Sequence, residues 1–100
     1  MQAEIQIDIV SRLNTAVSHL HTIRELVEAS SPCEDVIRQL RAVKVALRVT
    51  ETRLLARQIK HSEEIIIIGS VEARIPELAR LHKLYVLLEQ QSKYGSKENE

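Results

Sequence analysis

The fold is decided by residues 31–68, SPCEDVIRQLRAVKVALRVTETRLLARQIKHSEEIIII, a long stretch in which no helix breaker follows Pro32. Steps of four and three separate Val36, Leu40, Val43, Leu47, Thr50 and Leu54. This spacing is typical of one face of a long helix that packs in coiled-coil fashion. Ser31 as N-cap, Pro32 at the first helical position and Glu34 supply a start signal. The stretch therefore predicts one helix over about 32–67.

Two further helices are predicted on either side of this stretch. The upstream apolar positions are Val10, Leu13, Val17, Leu20, Ile23 and Val27. Beyond the break at Gly69 and Ser70, the third set is Val71, Ile75, Leu78, Leu81, Tyr85 and Leu88. Because proline is tolerated only in the first turn of a helix, Pro76 places the expected start of the third helix near residue 74. The predicted helices span about 4–29, 32–67 and 74–89, and the polar residues 90–100 are expected to form a flexible tail.

Composition favours an all-α fold. The chain has 12 Leu, 11 Ile and 9 Val, no Phe or Trp, and only two Gly and two Pro, which leaves few turns for a sandwich or barrel. Residues 65–68, four isoleucines, fit a short strand as well as a buried helix end, and we interpret them as helix. No long uncharged apolar run or signal peptide is found, so a cytoplasmic protein is expected, with one helical domain over residues 1–89.

The length of the second helix predicts self-association. A helix of 30 residues is about 45 Å long, whereas a compact domain of this size has a radius of gyration of about 13 Å. The first two helices can pair as an antiparallel hairpin, but the short third helix cannot cover the remaining apolar face. A second copy must therefore cover it, which predicts a homodimer or a larger oligomer.

Positive charge is concentrated in the second helix although the net charge of the chain is zero. The basic residues between positions 38 and 60 are Arg38, Arg41, Lys44, Arg48, Arg53, Arg57 and Lys60, against Glu51 alone. A basic helix doubled by dimerisation would attract a nucleic-acid backbone. Alternatively, these side chains form the solvated flank of a long helix and pair with acidic residues of the other helices.

Several short motifs resemble the CsoR/RcnR family of bacterial ligand-sensing repressors. They are Arg12-Leu13, Cys33-Glu34-Asp35-Val36, Gln39-Leu40, Ala42-Val43, Ala46-Leu47-Arg48 and Leu54-Leu55, and the similarity extends over about 80 of the 100 residues. The resemblance implies a dimer of antiparallel helical hairpins that forms a four-helix bundle and a flat tetramer. It also implies that the protein binds operator DNA and releases it when a ligand occupies a site between protomers.

The resemblance places the effector site at Cys33, Gln58 and Ser62. Because about 25 helical residues span nearly 40 Å, Cys33 can meet the other two only across antiparallel chains. An amide and a hydroxyl are poor ligands for copper(I) or nickel, so a copper sensor, and a metal cofactor in general, is not expected. His61, beside Ser62, is the one residue that could join Cys33 of a partner chain as a metal ligand, whereas His19, His21 and His82 are interpreted as structural or exposed.

The resemblance also suggests which residues contact DNA. Arg12 and Arg48 match basic positions of the family, but Asn14 and Thr15 stand where a basic pair is usual. Other basic residues would compensate for the missing pair if they lie on the same side of the protein as Arg12 and Arg48. These residues are Arg38, Arg41, Lys44 and Arg53.

Two functions remain in competition at this point. The first is a repressor whose effector is not copper and acts at Cys33. The second is a structural or protein-interaction oligomer that has kept the fold and lost metal sensing and DNA binding. An enzyme is disfavoured because no nucleophile with an adjacent base, paired carboxylates or phosphate-binding loop is found.

Overall fold

The computed structural model describes residues 2–98 and contains three helices within that range. Helix α1 spans Ala3–Glu28, α2 spans Cys33–Ile68 and α3 spans Val71–Glu98. The all-α prediction is confirmed, and residues 65–68 are helical rather than a strand. Among the described residues, no helix is both long and apolar enough to cross a membrane.

The chain forms two compact units, Met1–Arg53 and Leu54–Glu100, and α2 contributes to both. In the first unit α1 and α2 run antiparallel, because Asp8 contacts Arg53 while His19, further along α1, contacts Gln39, nearer the start of α2. In the second unit, α3 packs against the last turns of α2.

The apolar stripe of α1 that periodicity singles out is not the stripe that packs against α2. The buried residues of α1 are Ile5, Ile9, Ala16 and Ile23, and Val43 and Thr50 are buried on α2 in the same unit. Most of the predicted stripe is exposed, namely Val10, Leu13, Val17, Leu20 and Val27, with exposed fractions between 43% and 65%. The first helix therefore has two apolar faces, and one of them is uncovered in the single chain.

The end of α1 is closed by a left-handed residue. Ser30 has φ of 56°, and the backbone N–H groups of Ser30 and Ser31 donate to the carbonyl oxygens of Val27 and Leu26. These two bonds form a Schellman motif, in which glycine is the usual left-handed residue because it has no Cβ.

The substitution Ser30→Gly is therefore expected to stabilise the protein by about 0.5–1 kcal/mol, since it removes the strain of a left-handed side chain. Urea unfolding followed by circular dichroism measures the change. The matched control is Ser31→Gly, which lies outside the left-handed region and should destabilise instead. Equal effects of the two substitutions would contradict the assignment.

The third helix differs from the prediction at both ends. It begins at Val71 rather than near residue 74, because Ser70 is its N-cap: the Ser70 carbonyl accepts from Arg74 N–H, and the Ser70 hydroxyl accepts from Ala73 N–H at 3.3 Å. Pro76 lies inside the helix. Because proline has no N–H, the carbonyl oxygen of Glu72, four residues earlier, has no partner within the helix, but Glu72 lies in the exposed first turn.

The flexible tail expected from residue 90 onward is also wrong over the described part, because α3 continues to Glu98. Its Gln, Lys and Glu residues are good helix formers, so the helix propagates beyond its last apolar residues. Positions 99 and 100 of the expected tail lie outside the described residues. The turn before α3 requires Gly69, because a side chain there would collide with the carbonyl oxygen of Ile65.

Candidate functional site

The candidate DNA-binding residues of α2 do not all share one face. At about 100° per residue, Arg41, Lys44 and Arg48 fall within an arc of about 60°. Buried Val43 and Thr50 lie more than about 100° away on the same helix, toward α1. Arg41 and Lys44 are exposed and Arg48 is half-buried. These three side chains form the basic face of α2, directed away from the core of the first unit.

Arg38 lies at the edge of the basic face. Its guanidinium is 3.8 Å from the carboxylate of Asp35, one turn earlier, and both side chains are exposed. Exposed pairs at this spacing contribute little to stability and leave the charge available to a ligand.

The other two candidates, Arg12 and Arg53, converge on Asp8. Arg12 Nε donates to Asp8 Oδ1 at 3.2 Å, and Arg53 Nε donates to Asp8 Oδ2 at 3.0 Å. The hydrogen bond from Arg53, with a smaller contribution from Arg12, lowers the pKa of Asp8 below its usual value of 3.8. Asp8 is therefore ionised at neutral pH and links α1 to Arg53, near the middle of α2 and at the end of the first unit.

The three positions of the expected effector site are divided between the two units. Cys33 is an exposed free thiol at the first residue of α2, in the first unit. Gln58 and Ser62 are buried in the second unit, one turn apart on α2.

Ser62 is the most buried side chain of the second unit and already has a partner. It has 0% exposure, and its hydroxyl donates to Glu77 Oε1 on α3 at 2.5 Å. Gln58, one turn earlier, is 7% exposed, and its Nε2 is buried without a hydrogen-bond partner. His61 is half-buried beside them. The second unit therefore holds a buried hydroxyl paired with a carboxylate of α3 and, one turn earlier on α2, a buried amide nitrogen without a partner.

These donors do not fit a site for copper(I) or nickel. Soft metals take thiolate and imidazole, whereas Gln58 offers an amide and Ser62 a hydroxyl that is committed to Glu77. Across the described part of one chain, no three His, Cys, Asp or Glu side chains are grouped so that they could hold a metal ion.

The hydrogen bond between Ser62 and Glu77 gives a stability prediction. Ser62→Ala is expected to lower the free energy of unfolding by about 1–3 kcal/mol, because it leaves the half-buried Glu77 carboxylate without its donor. Urea unfolding measures the loss. The control Ser92→Ala, at an exposed position of α3, should be neutral or slightly stabilising. An unchanged stability of the Ser62 variant would show that the bond contributes nothing.

The remaining histidines make ordinary structural contacts or are exposed. His19 Nε2 is 2.7 Å from Gln39 Oε1, His21 pairs with Glu25 at 3.2 Å, and His82 is exposed. A second link between α2 and α3 is the hydrogen bond that Tyr85 donates to Glu63 at 2.9 Å, which raises the pKa of the tyrosine above its usual value.

Sequence reasoning missed Asp8 and Glu77. The Asp8–Arg12 ion pair has the four-residue spacing that is usual within a helix, so it could have been predicted from the sequence. The contact of Asp8 with Arg53 spans 45 residues, and that of Ser62 with Glu77 joins two helices, so neither has a local signal.

Three long helices, a basic second helix and an apolar face left uncovered on the first helix are features typical of helical proteins that self-associate and bind polyanions. Residues 6–85 match the model of a family described as metal-sensitive transcriptional repressor. The chain belongs to this family, the CsoR/RcnR repressors that its motifs resemble. A search of curated proteins and a search of solved structures gave no match.

Proposed function

We propose that the protein is a DNA-binding repressor of the CsoR/RcnR type whose effector is not copper and acts at Cys33. The observation that carries the proposal is the basic face of α2, formed by Arg41, Lys44 and Arg48, in a chain of a transcriptional repressor family. Side chains with fixed positive charge on one helix face suit the regular phosphate backbone of DNA. Arg38 extends this face, and Arg12 and Arg53 supply further positive charge elsewhere in the same unit.

Assembly into a homodimer or tetramer is part of the proposal. The uncovered stripe of α1, from Val10 to Val27, has the spacing of a helix–helix interface and is exposed in the single chain. A second copy of the same helix is the occupant that fits, because the stripe is apolar and extends along most of α1.

The effector is proposed to act on the thiol of Cys33. The thiol is exposed at the first residue of α2, so a small reagent in solution can reach it. A lone thiol suits an oxidant or an electrophile that forms one adduct, rather than a metal that needs several soft ligands. In a dimer of the family type, the unpartnered Gln58 amide would donate to a thiolate from the second chain.

The alternative is a structural or protein-interaction oligomer that has lost sensing. The specific observation in its favour is that Ser62, at a ligand position of the family, is bound to Glu77 instead. This bond ties α3 to α2 without any effector.

A gel-shift titration against the DNA that flanks its own coding region separates the two functions. For a repressor we expect tight, sequence-dependent retention that falls steeply as salt rises from about 50 to 200 mM. No retention at the lower salt concentration would favour the structural oligomer.

The effector is tested in the same assay. Hydrogen peroxide should release DNA from the wild-type protein and not from Cys33→Ala. Equilibrium dialysis with copper(I), nickel and zinc should show no stoichiometric binding at sub-micromolar free metal. Stoichiometric binding of one of these metals that the Cys33→Ala substitution abolishes would show instead that the protein is a metal sensor.

A further inference from the structure

We infer that Asp8 is an internal counter-anion of the DNA-binding surface, which holds Arg12 and Arg53 in the DNA-free protein and is displaced by a phosphate group of the DNA. The inference rests on the proposed function and concerns how that surface is regulated. It starts from one carboxylate that accepts from two guanidinium groups on two different helices.

The geometry leaves both arginines able to change partners. Each donates to Asp8 through its Nε alone, at 3.2 Å from Arg12 and 3.0 Å from Arg53. A guanidinium has five N–H donors, so most of the donors of each arginine are not used by Asp8. The side chains of Asp8, Arg12 and Arg53 are 39%, 37% and 42% exposed, so a phosphate in solution can reach them.

The charges decide the direction of the effect. Two guanidinium groups and one carboxylate present a net charge of plus one to an approaching phosphate, and the ionised Asp8 repels that phosphate directly. Once the carboxylate is displaced, the phosphate meets both positive charges. Asp8 therefore competes with DNA for the same donors, so its removal should strengthen binding rather than weaken it.

The ion pairs of Asp8 with Arg12 and Arg53 are weak enough for a DNA phosphate to replace the carboxylate. Exposed ion pairs typically change an equilibrium constant only a few-fold each, and two are broken here. We therefore expect Asp8→Asn to bind the flanking DNA duplex about three- to thirtyfold more tightly per protomer at about 0.1 M salt. The dependence of log K on log salt should steepen, because salt anions replace Asp8 as the partners of Arg12 and Arg53 in the DNA-free variant and are released when DNA binds.

The matched control is Glu28→Gln, which makes the same change in net charge on the same helix. Glu28 pairs with Arg24 at 2.9 Å, and neither belongs to the candidate DNA-binding residues. Asp8→Ser is a second variant that should share the gain, and circular dichroism checks that each variant folds. In an Arg12→Gln, Arg53→Gln background, Asp8→Asn should gain no more than Glu28→Gln does from the loss of one negative charge, because the arginines that it releases are absent.

The outcomes separate this inference from the proposed function. Tighter, more salt-dependent binding by Asp8→Asn but not by Glu28→Gln supports the role of Asp8. Equal effects of the two variants overturn it, since they would reflect net charge alone, and weaker binding by Asp8→Asn overturns it by showing that Asp8 orients the arginines for DNA. A wild-type protein that retains no DNA removes the proposed function and this inference together.

Discussion

Replacement of Arg41, Lys44 and Arg48 together by glutamine is expected to weaken operator binding by on the order of a thousandfold at about 0.15 M salt. The three side chains share one face of α2 and, in a dimer, six charges would be lost. Each lost phosphate contact lowers the slope of log K against log salt by about 0.9, so the slope should fall by about five. Fluorescence anisotropy with a labelled operator duplex at several salt concentrations measures both quantities.

The matched control for this triple variant is Arg74→Gln, Arg80→Gln and Lys83→Gln, three exposed basic positions of α3. It makes the same change in net charge away from the basic face and should reduce affinity far less. If both triple variants bind equally weakly, the attraction is general electrostatics and the basic face is not the contact surface. Unchanged binding by the α2 variant would exclude that face directly.

The second large effect is expected at the uncovered stripe of α1. Val17→Glu combined with Leu20→Glu should raise the dissociation constant of self-association by at least about a thousandfold. These side chains are 65% and 45% exposed in the single chain, so the change acts mainly on the assembly. Burial of an aliphatic side chain contributes about 1.5–3 kcal/mol, and a dimer loses four such side chains and gains buried carboxylates.

Sedimentation equilibrium at micromolar concentration tests this second prediction. The control is Ser11→Glu combined with Thr22→Glu, which adds the same charge to exposed positions of α1 outside the stripe. A wild-type protein that is monomeric, or control and test variants that dissociate alike, would show that the stripe is not the interface. The dissociated variant should also lose DNA binding, because a dimer binds DNA through two copies of the basic face.

The helices were predictable because their signals are local. The start of α2 is predicted within one residue from Ser31 and Pro32, but Pro32 rather than Ser31 stands at the N-cap, since its carbonyl oxygen accepts from Val36 N–H. The length of α2 follows from the absence of a breaker before Gly69. The errors at α3 have local causes as well. Ser70 was interpreted as part of a break although it is an N-cap, and Pro76 was given more weight than a second-turn proline has.

The candidate site was predictable only in part. The effector positions Cys33, Gln58 and Ser62 follow from the resemblance to the family, the basic residues of α2 follow from the sequence, and the roles of both sets remain proposals. The pairing of Ser62 with Glu77 and of Arg53 with Asp8 could not be predicted, because the partners lie on different helices. Both pairs change the chemistry: the first occupies a ligand position of the family, and the second neutralises part of the basic surface.

By itself, the sequence determined that this chain forms long helices, where they break, and that positive charge is concentrated on the second one. These properties depend on residues within a few turns of each other. Only the tertiary structure decided that α2 covers Ile5, Ile9, Ala16 and Ile23 and leaves the more regular stripe of α1 exposed. The periodicity of one helix shows that an apolar face exists, but which face is covered depends on how the side chains of two helices interlock, and that is settled only when both are packed.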